Sequence, residues 1–78
     1  GDAGRGSDDV KAAFAGGVEQ MIASVEARLP DTPDRRARAL GVVTRMAGAL
    51  MLARAVPDGP LADELLETNL RLAIAEAG

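Results

Sequence analysis

Three carboxylates, Asp63, Glu64 and Glu67, crowd one short stretch (LADELLE), and a single cation, Arg45, stands in the middle of the most apolar part of the chain. Clustered acids can do acid–base chemistry or hold a metal, but they need a nucleophile or further ligands beside them. The chain has no cysteine and no histidine. The commonest transition-metal ligand, the thiolate nucleophile and the disulfide are therefore all excluded. The acids read instead as the solvated first turns of a helix, where carboxylates face the positive end of the dipole. The glycine-rich start, Gly1 to Gly6 (GDAGRG), follows no strand and lacks the GxxxxGK[ST] pattern of a phosphate loop. It reads as a flexible end. The expectation is a protein that is not an enzyme and carries no cofactor and no metal.

Charge and aromatic content remove further classes. Nine basic residues against twelve acidic ones leave a net charge of −3, which repels a phosphate backbone. The one aromatic residue, Phe14, is no platform for stacking bases. No direct nucleic-acid binding is expected. Arg38, Arg45 and Arg54 cut the apolar stretch into uncharged runs far shorter than the ~20 residues a membrane span requires. No secretory signal is visible, and the lack of cysteine fits the cytoplasm. Acyl carrier chemistry needs a serine in an Asp-Ser-Leu setting, whereas Ser24 lies in Ala-Ser-Val-Glu.

The elements follow from periodicity and punctuation, and with abundant alanine and few β-branched residues they give an all-α domain of three main helices. The first is expected from about Asp8 to Leu29, capped by Ser7 and ended by Pro30. Val10, Phe14, Val18, Met21, Ile22, Val25 and Leu29 fall on one arc of it. Thr32 followed by Pro33 opens the second, running to about Val56. Pro57-Asp58-Gly59-Pro60 breaks the chain, and the third helix runs from about Pro60 to Glu76.

The second helix organises the rest. From Arg36 to Val56 it is apolar nearly all round, so it must be covered on more than one side. Seventy-eight residues make at most one small domain, and small domains commonly rely on oligomerisation when disulfides and metals are absent. The small face Ala37, Gly41, Thr44 and Gly48 is read as the seam of a homodimer; close packing inside one chain is the other arrangement it allows. Asn69, inside the third helix's apolar arc, either fixes partner register or is a partly exposed residue without that role. Arg45 is expected to snorkel to water along its own stem, or to pair with an acidic effector, Glu64 or Glu67.

The run ARALGVVTRMAGALMLARAVPDGPLADELLETNLRL resembles the end of a tetracycline-repressor (TetR) family transcriptional regulator, in its alanine-rich helix with a central Gly-Ala, its LARAV, and the LADELL after a Pro/Asp/Gly break. The resemblance implies that the last two helices pack against a second copy as a four-helix-bundle dimer interface, formed by Ala37, Gly41, Thr44, Gly48, Met51, Leu65, Asn69 and Leu72. It places the first helix in the effector-binding part; Phe14, Val18, Met21 and Met46 read either as ordinary core or as the lining of a pocket for a small-molecule effector. Methionine suits varied ligands. The family's N-terminal helix-turn-helix domain is absent from residues 1–78, which would make this a C-terminal regulatory fragment. The alternative is a stand-alone helical homodimeric module unrelated to transcription.

Overall fold

The computed structural model describes residues 2–77, and for 2–5 the backbone alone. It is all-helical among these residues: α1 (Asp2–Glu26), α2 (Arg35–Ala55) and α3 (Pro60–Ala77). α1 begins well before the expected cap. Asp2 to Gly6 are helical rather than flexible, Gly1 lies outside the described residues, and Ser7 sits inside the helix. Ser7, Asp8 and Gly6 are exposed, where a poor helix former costs under about 1 kcal/mol, so a cap-forming residue permits a start without enforcing one.

α1 ends by tightening. The Arg28 amide donates to the Val25 carbonyl (2.9 Å) and the Leu29 amide to that of Glu26 (3.1 Å), both three residues back. Two arginines bond carbonyls of the last turn: Arg28 Nη1 donates to the Ser24 carbonyl (2.7 Å), and Arg35 Nε adds a second bond to that of Glu26 (2.7 Å). The turn delivers Leu29 into the interior.

Thr32 is not the cap of α2. Its carbonyl accepts from the Arg35 amide (3.1 Å), closing a turn around Pro33 and Asp34. Its hydroxyl donates to Asp34 Oδ1 (2.6 Å) and holds that carboxyl below its ordinary pKa. Asp34 takes the cap position, with no side-chain cap bond. α3 starts where expected. Gly59 adopts a φ of 147°, a conformation open to glycine but strained for other residues, and its carbonyl accepts from Asp63 (3.1 Å).

α2 lies between α1 and α3 and packs on both. The Cα atoms span 45 × 39 × 13 Å. Packed helix axes lie about 8–10 Å apart, so 13 Å admits little more than one layer of helices. The radius of gyration is 15.5 Å, whereas a compact chain of this length would have about 11.5 Å. The interior is correspondingly thin. Ile22, Leu29 and Ala39 form one cluster, with Val18, Val25, Val43 and Ala77 against it. Beyond it, the buried residues are Ala49 and Ala53 of α2 and Ala62 and Ala73 of α3, all alanines. Small side chains let α2 and α3 approach closely while each removes little apolar area from water.

Candidate functional site

Two features are left open by this single layer. The first is a strip along α2. At 100° per residue, Ala37, Leu40, Gly41, Thr44, Ala47, Gly48, Met51 and Ala55 fall within roughly 120° of arc, and none carries a charge. Gly48 is half-buried and the others are exposed. Nothing packs on the small residues within the chain. A Cβ built on Gly48 would meet no atom within 4 Å, and one on Gly41 only Glu76 Oε2 at 3.9 Å. The close intrachain packing that such a face also allows is therefore absent. Leu65 and Asn69 of α3 are half-buried, and Leu72 is exposed. A shallow groove of about 400 Å³ joins the two helices here, running over Gly41, Thr44 and Gly48 to Asn69.

The polar groups of this face are tied to one another. Arg45 Nη1 donates to Asn69 Oδ1 (3.2 Å), Arg45 Nη2 pairs with Glu76 Oε1 (3.3 Å), and Asn69 Nδ2 donates to the Leu65 carbonyl (2.7 Å). Arg45 thus pairs with neither Glu64 nor Glu67, and its head is held across α2 and α3 instead of extending freely into water. Its Nε is sealed from solvent without a partner. Sequence spacing had no means of finding Glu76: it lies 31 residues from Arg45, and the pair depends on how α3 lies along α2. Asn69 has both ends of its amide engaged inside the chain, a role that neither reading of it included.

The second feature is an apolar trough of about 710 Å³ between α1 and α2. All three methionines of the chain, Met21, Met46 and Met51, line it, with Val25, Val42, Val43, Ala47 and Leu50. Its polar residues are Ser24 and, on the α2 side, Arg54. Of the four residues expected to meet an effector, Met21 and Met46 are brought together here. Val18 packs instead against the Ile22 cluster, and Phe14 is 74% exposed and outside the trough. Met51, assigned to the dimer seam, borders both the strip and the trough. The first helix was read as one apolar arc, but α1 stays against α2 only through its C-terminal half. Val10, one turn before Phe14, is 69% exposed.

Two ion pairs sit at the anchored end of α1. Arg36 reaches Glu19 (2.9 Å) and Glu26 (3.5 Å), all three partly exposed, where solvent screens such pairs and leaves them weak. No helix among the described residues is long and apolar enough to cross a membrane, and no group of three or more acidic residues there is placed to hold a metal ion. The chain matches no protein-family model, and no curated protein or solved structure is significantly similar to it.

Proposed function

We propose that the chain is a homodimerisation module whose α2–α3 face packs against that of a second copy, in the manner of the C-terminal half of a TetR-like regulator. One observation carries the reading: the chain exposes too much surface. Its accessible area is 5749 Å², against about 4,450 Å² for a compact folded monomer of 8.0 kDa. Two copies that each hid the excess of about 1,300 Å² would bury about 2,600 Å² together, within the range of obligate homodimers. The uncharged strip of α2 is the surface that loses least by being covered, since it holds no ion to desolvate. Leu65 and Leu72 extend it onto α3. The net charge of −3 gives such a dimer no attraction for DNA, so operator binding belongs to another domain in this reading. The effector-sensing role rests on the family resemblance alone, because Phe14 and Val18 stand outside the trough.

Sedimentation equilibrium combined with thermal melting tests the dimer. A dimeric mass is expected, with a melting temperature that falls on hundred-fold dilution, because folding and association are one equilibrium in an obligate dimer. A monomeric mass with a dilution-independent melting temperature overturns the reading. A helix-turn-helix encoded upstream of Gly1 would favour the regulator, and its absence the stand-alone module.

A further inference from the structure

The trough and the free half of α1 are two parts of one mismatch. Val18 and Ile22 of α1 belong to the same buried cluster as Ala39 and Val43 of α2. On a helix laid antiparallel to α2 with Ile22 at Ala39, Phe14 would fall at Ala47 and Val10 at Met51. Both α2 residues do line the trough, but α1 diverges, and Phe14 and Val10 project into water. On the α1 side the trough is lined by Met21, Ser24 and Val25, and no residue before Met21 reaches it.

We propose that the N-terminal half of α1 from a second copy fills this trough, so that the two chains exchange arms. The inference rests on the homodimer reading. Three observations select this occupant. The arm is long enough to span it: residues 2–17 make about 24 Å of helix, and Val42 to Arg54 about 18 Å of trough. Its apolar knobs, Val10 and Phe14, are spaced i, i+4 on one face, the spacing with which a helix seats in an apolar groove. With Val10 at Met51 and Phe14 at Ala47, Asp8 comes within reach of Arg54, which has no acidic partner within 4 Å among the described residues. The trough also continues the dimer face, since Ala47 and Met51 belong to both. One two-fold axis can therefore serve the α2–α3 seam and the exchanged arms, and the assembly closes as a dimer. Flexible methionine side chains let the trough adapt to the inserted phenylalanine.

The absence of cysteine makes the test clean. Phe14→Cys and Met46→Cys chains are prepared separately, unfolded, mixed, refolded and oxidised. A disulfide joining the two different chains is expected, at a yield well above that of either variant alone. A dimeric mass without that cross-link overturns the arm exchange and leaves the homodimer standing; a monomeric mass overturns both. The doubly substituted chain separates a further occupant: a bond formed within one chain, through bending at Gly16-Gly17, would show that α1 closes on its own trough and would also overturn the exchange. As a second readout without cysteine, Phe14→Ala should weaken dimerisation about ten-fold or more, as truncation of a buried aromatic anchor does. An unchanged dissociation constant counts against the proposal.

Discussion

α2 is held on its two sides by different means. Against α1 the contact is a plug: Ile22 and Leu29, the largest buried side chains of the molecule, close over Ala39 at one end of the helix. Against α3 the buried residues are all alanines, Ala49 and Ala53 of α2 and Ala62 and Ala73 of α3, with the Arg45–Asn69–Glu76 network along one edge. A plug concentrates its free energy in a few large groups and leaves the remainder of the helix free to diverge, as α1 does. A seam of small residues aligns two helices along their length but buries little from each residue. The α2–α3 pair is thus geometrically well defined while the outer faces of both helices stay uncovered. The contrast explains why the surface excess sits on that pair and on the free half of α1.

The comparison breaks most visibly at Ile22. Ile22→Ala should cost about 2–5 kcal/mol, the range for emptying a buried aliphatic site. It should release α1 while the helix signal of α2 and α3 persists. Chemical denaturation with far-ultraviolet circular dichroism, together with hydrogen exchange on α1, measures both. A cost near zero would mean that the plug does not anchor α1.

Gly48→Leu sharpens the other side and has a smaller expected effect. Within one chain the new side chain meets open space, so helix propensity alone should stabilise by a little under about 1 kcal/mol. In a close-packed seam between copies it should instead cost about 1–3 kcal/mol per copy. The two outcomes differ in sign. We expect Gly48→Leu to weaken the dimer and Ala75→Leu, at an exposed position of α3, to leave it unchanged. Analytical ultracentrifugation of both variants decides, and a Gly48→Leu protein that associates as tightly as its parent removes α2's small face from the interface.

The smallest effect lies in the connection between plug and seam. The Thr32 hydroxyl holds Asp34 below its ordinary pKa. A depressed carboxylate stabilises the fold above its unfolded pKa, and that contribution disappears as pH falls through the folded value. Thr32→Ala should return Asp34 toward the ordinary carboxylate range and flatten the acid limb of stability slightly. A carbon-detected titration of the Asp34 side chain reads the shift directly; an unmoved pKa would mean that Arg38, the other favourable charge nearby, suffices.

Helix class, number and breaks were legible because their causes are local. Pro57, Gly59 and Pro60 act on their own dihedrals, and a period of 3.6 can be counted without knowing what the helix meets. α3 accordingly begins where its sequence places it. The start of α1 was not legible, since Ser7 is compatible with a cap and with an exposed helix interior alike. The site was legible by half. The uncharged strip could be counted off α2, and Met21 and Met46, grouped from the sequence, both line the trough. Phe14 and Val18 were grouped with them because they share a wheel, and a wheel carries no information about where two helix axes diverge.

The residues of this chain by themselves determined three helices, the absence of histidine and cysteine chemistry, and one helix too apolar to stand uncovered. Only the tertiary arrangement decided which alanines are interior, that Arg45 is held by Asn69 and Glu76, and that an apolar trough opens between α1 and α2. The reason is physical. Propensity, capping and charge act over one turn of chain, whereas burial is set by the distance and angle between axes, and alanine is equally at home in a seam or in water.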